Sequence, residues 1–291
     1  MQGQQKRDHE RANGRHALGR SQNTGEPPDL VFERLNRAGV NWAGAEHETY
    51  RVWNDDWEVR LEGNAHILTA EDGGHRTELR LTPEKPEVLH GENGFSQKGA
   101  FAGNASQYYS LTRLRTVGKI WMNGEEFSVT GWSWMNHDFG TSFLEKDQIG
   151  WDWFSLQFDD GRELMLFQLR RADGSIDLHS SGTLVDAAGK GAHLRFAEFA
   201  LSPGQEWHSP TSGATYPTVW TITIPQYGLR LTVSAAFPEQ ELHTGESTGV
   251  TYWEGSVNVT GSEGIQPVGG RGYLETTGYA GKGMGAVFGL D

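Results

Sequence analysis

From Tyr50 onward the chain alternates short runs of aromatic and β-branched residues with turn signals, the pattern of antiparallel strands rather than of helices. Asn123-Gly124 separates TVGKIWM from EEFSVTGWSW, and Asp160-Gly161 separates WDWFSLQF from RELMLFQL. Both dipeptides favour type I′ turns, whose twist matches that of paired strands, so two antiparallel hairpins are expected there. The runs RFAEFAL, TVWTITIP, LRLTVSA, YWEGSVNV and GYLETTGY repeat the pattern at the short spacing of a barrel or sandwich. Only DLVFERLNRAG shows helical spacing, through Leu30, Phe32 and Leu35 with Gly39 as a C-cap, and it predicts one short helix or a loop. Strand density breaks at Arg171-Ala172-Asp173-Gly174-Ser175. The expected organisation is therefore all-β: a flexible polar tail over 1–29, one barrel-like domain over 30–175 and a second over 176–291. The length of 291 residues suits two domains, since one domain commonly takes roughly 100–200.

Composition narrows the function. A formal charge of −13 argues against nucleic acid, whose affinity comes from Lys and Arg replacing counterions. No apolar run reaches the 18 or more residues of a membrane-spanning helix, so no transmembrane segment is expected. The tail lacks the apolar stretch of a secretory signal. With no cysteine there is neither a disulfide framework nor a thiolate metal site, and the histidines are scattered without an H-x-H pair, so no metal and no cofactor are expected. Walker, Rossmann, H-E-x-x-H and G-x-S-x-G signatures are missing, which removes support for nucleotide chemistry and serine hydrolysis.

Chemistry concentrates in TGWSWMNHDFGTSFLEKDQIGWDWFSLQF, residues 130–158. If 130–138 is a strand, alternation puts Trp132, Trp134, Asn136 and Asp138 on one face and Ser133, Met135 and His137 on the other. In the next strand Asp152 shares a face with Phe154, Leu156 and Phe158, while Trp151, Trp153, Ser155 and Gln157 point the other way. A carboxyl group among apolar side chains is held in its neutral form, which is what a general acid requires. Asp138 and Asp152 are thus candidate proton donors, with His137 as a hydrogen-bonding partner. The ordinary alternatives stand beside this: an Asp near a strand end commonly pairs with Arg or accepts backbone bonds, and Trp in a β protein is a core residue by default.

The stretch WMNHDFGTSFLEKDQIGWDWFSLQFDDGRELMLFQLR resembles the lipocalin-like family of carotenoid 1,2-hydratase (hydroxyneurosporene synthase) and AttH-type proteins. The resemblance extends through YRVWNDDW, LTPEKPEVLHGENGFSQKG, NASQYYSLTRL, WHSPTSGATYPTVWTITIP, YWEGSVNVTG and GRGYLETTGYAG, from about residue 30 to the C-terminus. It implies two lipocalin-like β-barrels with an apolar cavity in or between them, and leans towards a cell-envelope or secreted protein. Hydratase members add water across an isoprenoid double bond without a cofactor. Members usually begin with a Glu-Trp-Trp-Tyr-Phe-like strand that this chain lacks, so an incomplete first barrel is expected, with open edges able to pair two copies as a homodimer.

Three functions follow for a small apolar ligand or substrate. The first is a hydratase-like enzyme with Asp138 or Asp152 as proton donor, and with Trp132, Trp134, Asn136, Trp151, Trp153, Tyr252 and Glu254 lining the ligand. The second is a non-catalytic carrier using the same cavity. The third, ranked behind both, is a carbohydrate-active protein using Trp platforms and paired carboxylates.

Overall fold

The computed structural model describes residues 13–16, 32–36, 38–39, 42–46, 48–101, 103–142, 144–245 and 248–281. These form β1 (Asn13–His16), β2 (Phe32–Leu35), β3 (Ala43–Ala45), β4 (Arg51–Asn54), β5 (Trp57–Glu62), β6 (Ala65–Asp72), β7 (His75–Pro83), β8 (Val88–Leu89), β9 (Phe95–Gln97), β10 (Ala105–Met122), β11 (Glu125–Ser142) and β12 (Gln148–Phe158). They continue as β13 (Glu163–Arg171), β14 (Ser181–Val185), β15 (Gly191–Arg195), β16 (Ala200–Pro203), β17 (Glu206–His208), β18 (Thr215–Pro217), β19 (Val219–Ile224), β20 (Leu229–Ala235), β21 (Glu241–His243), β22 (Thr251–Glu263) and β23 (Gln266–Thr277). Among the described residues only two 3-10 turns, Phe196–Glu198 and Pro225–Tyr227, are helical, and no helix is long and apolar enough to cross a membrane.

A nine-stranded antiparallel sheet runs in the order β11-β10-β7-β6-β5-β4-β3, with β8 and β9 also pairing on β10. A ten-stranded antiparallel sheet runs β15-β14-β13-β12-β23-β22-β20-β19-β16, with β21 on β22. By contacts the chain divides into two compact units, the first made of 13–16, 32–84 and 114–133, the second of 85–113 and 134–281.

In the first unit β4 to β7 form a meander with Trp57, Ala65, Leu81 and Leu114 buried. The Arg34 guanidinium lies 4.7 Å from the Trp57 ring centroid and 3.1 Å from Asp72.

In the second unit β19 alternates strictly, with Trp220, Ile222 and Ile224 buried and Val219, Thr221 and Thr223 only half-buried, as period-2 geometry requires of a strand with one core face. By contrast β13 is buried on both faces from Glu163 to Leu169, which explains its nearly unbroken apolar run. Phe154 and Trp220 meet edge to face at 5.5 Å although β23, β22 and β20 separate their strands in the sheet, so the sheet is curled upon itself. Its concave side is filled by side chains: Phe154, Leu156, Leu164, Leu166, Ile222 and Leu231 are all fully buried. Each such residue contributes about 1.5–3 kcal/mol of burial free energy. This interior is a packed core.

Five expectations are corrected. DLVFERLNRAG is not helical: Phe32–Leu35 is a strand paired with β1, Phe32 packs on the His75 ring at 5.4 Å, and Gly39 bridges Ala43. Tertiary partners outweigh the helical spacing; Leu30 lies outside the described residues. Asn13–His16, inside the stretch expected as a tail, is the strand β1. RFAEFAL is not one strand, because Phe196–Glu198 turns the chain and Glu198 accepts from the Arg195 backbone N–H at 2.8 Å. Asn123-Gly124 has positive φ at both positions, as a type I′ turn needs. At Asp160-Gly161 only Gly161 does, and the Gly161 N–H bonds Phe158 O at 3.1 Å while Phe158 N–H bonds Arg162 O at 2.8 Å, giving a longer loop. Finally, the break at 171–175 is a hairpin turn: β13 and β14 pair across it, so both its flanks belong to the same sheet.

Candidate functional site

Strand β12 organises the candidate residues by alternation. Asp152, Phe154, Leu156 and Phe158 face the packed interior of the curled sheet, while Trp151 and Trp153 face a second cluster made by Tyr108, Leu144, Met165, Phe167, Leu169, Leu242, Val250 and Tyr252. The two carboxyl groups singled out in the sequence therefore have different environments.

Asp152 is completely buried. Its Oδ2 accepts from Gln168 Nε2 at 2.8 Å and lies 3.2 Å from Arg170 Nε, an ionic contact outside hydrogen-bond alignment. Its Oδ1 accepts from the Tyr279 hydroxyl at 3.0 Å. Cross-strand pairing sets this arrangement, since Asp152 stands opposite Gln168 on β13 and opposite Thr276 on β23. Two glycines permit it. At Gly278, φ is +72° and an added Cβ would lie 2.0 Å from Ile149 O, so only glycine turns the chain here and swings Tyr279 over Asp152. At Gly150 a Cβ would stand 2.3 Å from Thr277 O, where the Arg170 guanidinium binds. Burial pushes the Asp152 carboxyl above its ordinary range, opposed by Arg170, Gln168 and Tyr279. Burial and the Asp152 charge likewise raise the Tyr279 phenol. The Arg170 guanidinium stacks on Tyr279 at 3.9 Å, Tyr279 meets Tyr216 at 5.5 Å, and Tyr216 stacks with Trp207 at 6.3 Å. The rings on the side of Asp152 are thus Tyr279, Tyr216 and Trp207.

On the other face Asp138 reaches Lys98, whose ammonium is 3.3 Å from Oδ2, 4.1 Å from the Phe167 ring centroid and 5.0 Å from that of Tyr108. Lys98 is buried, which lowers its pKa, while Asp138 counters the shift. Tyr108 accepts from Trp153 Nε1 at 2.9 Å, and burial raises its phenol well above the ordinary range. Behind it Ser110 Oγ donates to Asn136 Oδ1 at 2.6 Å, so it accepts from His90 Nε2 at 2.8 Å, leaving His90 Nδ1 to accept from Thr183 Oγ1 at 2.8 Å. Trp134 Nε1 also donates to Asn136, at 2.7 Å.

Of the residues named from sequence, Trp134, Asn136, Asp138, Trp151, Trp153 and Tyr252 share this second cluster. His137 does not reach either Asp: it is exposed, bonds the Tyr109 hydroxyl at 2.9 Å and contacts the Phe139 ring at 4.9 Å. Trp151 donates to Glu275 at 2.8 Å. Tyr252 and Glu254 are buried, and Trp132 is 45% exposed. Sequence reasoning missed Arg170, Gln168, Tyr279, Lys98 and Tyr108, all of which lie within the stretches that carry the resemblance, with no local pattern to mark their roles. A polar groove of about 330 Å³ lined by Val88, Leu89, Glu92, Gly189 and His193 contains neither Asp. Among the described residues no group of three or more His, Asp or Glu could hold a metal.

A family model described as AttH-like matches residues 20–279. No curated protein matches the chain. Among solved structures, an AttH candidate from Nitrosomonas europaea is 34% identical, with 86% of this chain and 77% of that one covered and a TM-score of 0.79. Kievitone hydratase from Nectria haematococca is 16% identical, with coverage of 86% and 76% and a TM-score of 0.67, and CghA is 11% identical, with coverage of 88% and 73% and a TM-score of 0.51. These last two share the fold.

Proposed function

Because the chain belongs to the AttH-like family, we propose that it is a cofactor-free, hydratase-like enzyme acting on an isoprenoid or other apolar unsaturated substrate, with Asp152 as the source of the proton. The carrying observation is the state of Asp152: fully buried, held towards its neutral form by that burial, yet flanked by Arg170 and Gln168, which stabilise the carboxylate left once the proton has gone. Protonating a double bond leaves a carbocation on the adjacent carbon, water adds to it, and the surplus proton returns to Asp152. Asp138 differs in its burial: its side chain is 31% exposed and paired with Lys98, whereas Asp152 is fully buried.

The name of kievitone hydratase, which shares this fold, fits the same class of reaction, the addition of water to a double bond. A glycosidase needs two carboxylates across one cleft, whereas Asp138 and Asp152 lie in different clusters.

The test is incubation with a panel of isoprenoid and other apolar alkenes in ¹⁸O-labelled water, with mass spectrometry of the products. Asp152→Asn should lower turnover by about 10²–10⁴-fold with little change in ligand binding. Full turnover by that variant removes Asp152 from the chemistry, and binding without turnover by the unaltered protein replaces the enzyme by a carrier.

A further inference from the structure

Asp152 carries a difficulty as a donor. Its side chain has no exposed surface, so no substrate atom can touch its oxygens. Oδ2 accepts from the Gln168 Nε2 and faces the Arg170 guanidinium, a group with donors only. Oδ1 has a different kind of partner: the Tyr279 hydroxyl, 3.0 Å away, which can donate or accept. Tyr279 follows the end of β23, is only half-buried, and lies against the packed interior beside Tyr216.

We infer that Tyr279 is the catalytic residue that delivers the proton of Asp152 to the substrate, acting as a one-step relay between the buried carboxyl group and the accessible end of the curled sheet. This rests on the reading of Asp152 as the proton source. When Asp152 is protonated on Oδ1, the hydrogen bond reverses: the carboxyl O–H donates to the Tyr279 oxygen, and the phenolic hydrogen is freed to point away. In the reaction that hydrogen passes to an alkene carbon while the Asp152 proton passes to the Tyr279 oxygen. The phenol emerges unchanged, Asp152 becomes a carboxylate facing Arg170 and Gln168, and the substrate becomes a carbocation. Water adds to the cation, the oxonium gives its extra proton to Tyr279, and Tyr279 passes its own to Asp152. The sum is alkene plus water giving alcohol, with no other reactant.

The arrangement fits a relay better than a simple brace. The phenolic ring is already held by the Arg170 guanidinium at 3.9 Å and by Tyr216, so the hydroxyl is not needed to place the ring. Tyr279→Phe should therefore keep the fold and remove only the oxygen.

Two readouts test the inference in the full chain. Infrared difference spectra between unaltered protein and Asp152→Asn identify the neutral carboxyl band of Asp152; that band should shift in Tyr279→Phe, which has lost the hydrogen-bond partner. An unmoved band overturns the relay whether or not a substrate is in hand. With a substrate from the alkene panel, Tyr279→Phe should lower turnover about 10²-fold or more, with unchanged binding and a melting temperature lowered by only a few degrees for the lost hydrogen bond. If Asp152→Asn is inactive while Tyr279→Phe retains full turnover, the relay fails and the acid stands. If Asp152→Asn retains full turnover, the acid fails and the relay with it.

Discussion

His90 offers a sharp test of how the second cluster is built. Its ring is completely buried, with Nε2 donating to Ser110 and Nδ1 accepting from Thr183, so a second proton has no acceptor unless a hydroxyl rotates. Burial, with Lys98 and His193 nearby, pushes its pKa down from 6.5 to about 3. A histidine depressed on folding binds more protons in the unfolded state at every pH between those values. Stability from this residue is then fully present above about pH 6.5 and is lost progressively as the pH falls towards 3. At about 1.4 kcal/mol per proton per pH unit, the loss between pH 7 and pH 4.5 is about 2–3 kcal/mol. His90→Gln keeps a donor near the Nε2 position but does not titrate. It should be less stable than the parent at pH 7, by about 1–3 kcal/mol for the lost bond and packing, and the gap should close as the pH falls. Urea unfolding followed by tryptophan fluorescence at pH 7, 5.5 and 4.5 measures both curves. Parallel curves would show that His90 takes up its proton freely in the folded protein and that the hydrogen-bond chain is wrongly drawn.

Glu163 is fully buried between Lys85 Nζ at 2.7 Å and Arg113 Nε at 2.5 Å. Glu163→Gln removes the charge that faces two largely buried cations and should cost about 3–5 kcal/mol, seen in calorimetry as a fall in melting temperature on the order of 10 °C; a fall under about 2 °C would contradict it. In the Lys98–Asp138 pair the two partners should behave unequally. Asp138→Asn leaves an ammonium buried and should cost about 2 kcal/mol, a value reduced from fully buried pairs because Asp138 is 31% exposed. Lys98→Met fills the same space between Tyr108 and Phe167 and leaves Asp138 to water, so it should cost under about 1 kcal/mol. Thermal melts of the two variants in the reverse order would refute the assignment.

The β class, the strand faces and the family could be read from alternation and motif alone. Asp152 falls on the apolar face with Phe154 and Leu156 as parity required, and Trp134, Asn136 and Asp138 stay together. Parity describes one strand, however, and a site is made by several. Arg170 stands 18 residues beyond Asp152 in an apolar run, and Tyr279 stands 127 beyond it, so no local pattern ties them to the carboxyl group. Lys98 carries no local signal within GFSQKG, because the rings that cover it come from β10 and β13. His137 failed for the opposite reason: adjacency in NHD suggested partnership, whereas neighbours on a strand point apart.

The filled interior of the curled sheet bears on how this chain could acquire new substrates. A hollow calyx can be retuned by trading large for small residues along its walls, each change enlarging or reshaping a space that already exists. Here the same trades would open voids in a close-packed solid, at about 2–5 kcal/mol for each Leu→Ala. Adaptive change should therefore collect around Trp207, which is half-buried on the short hairpin of β17 and β18 and stacks on the buried Tyr216. In a library randomised there and in the core, survivors should show wide variety at Trp207 and nearly constant volume at Phe154, Leu164 and Trp220.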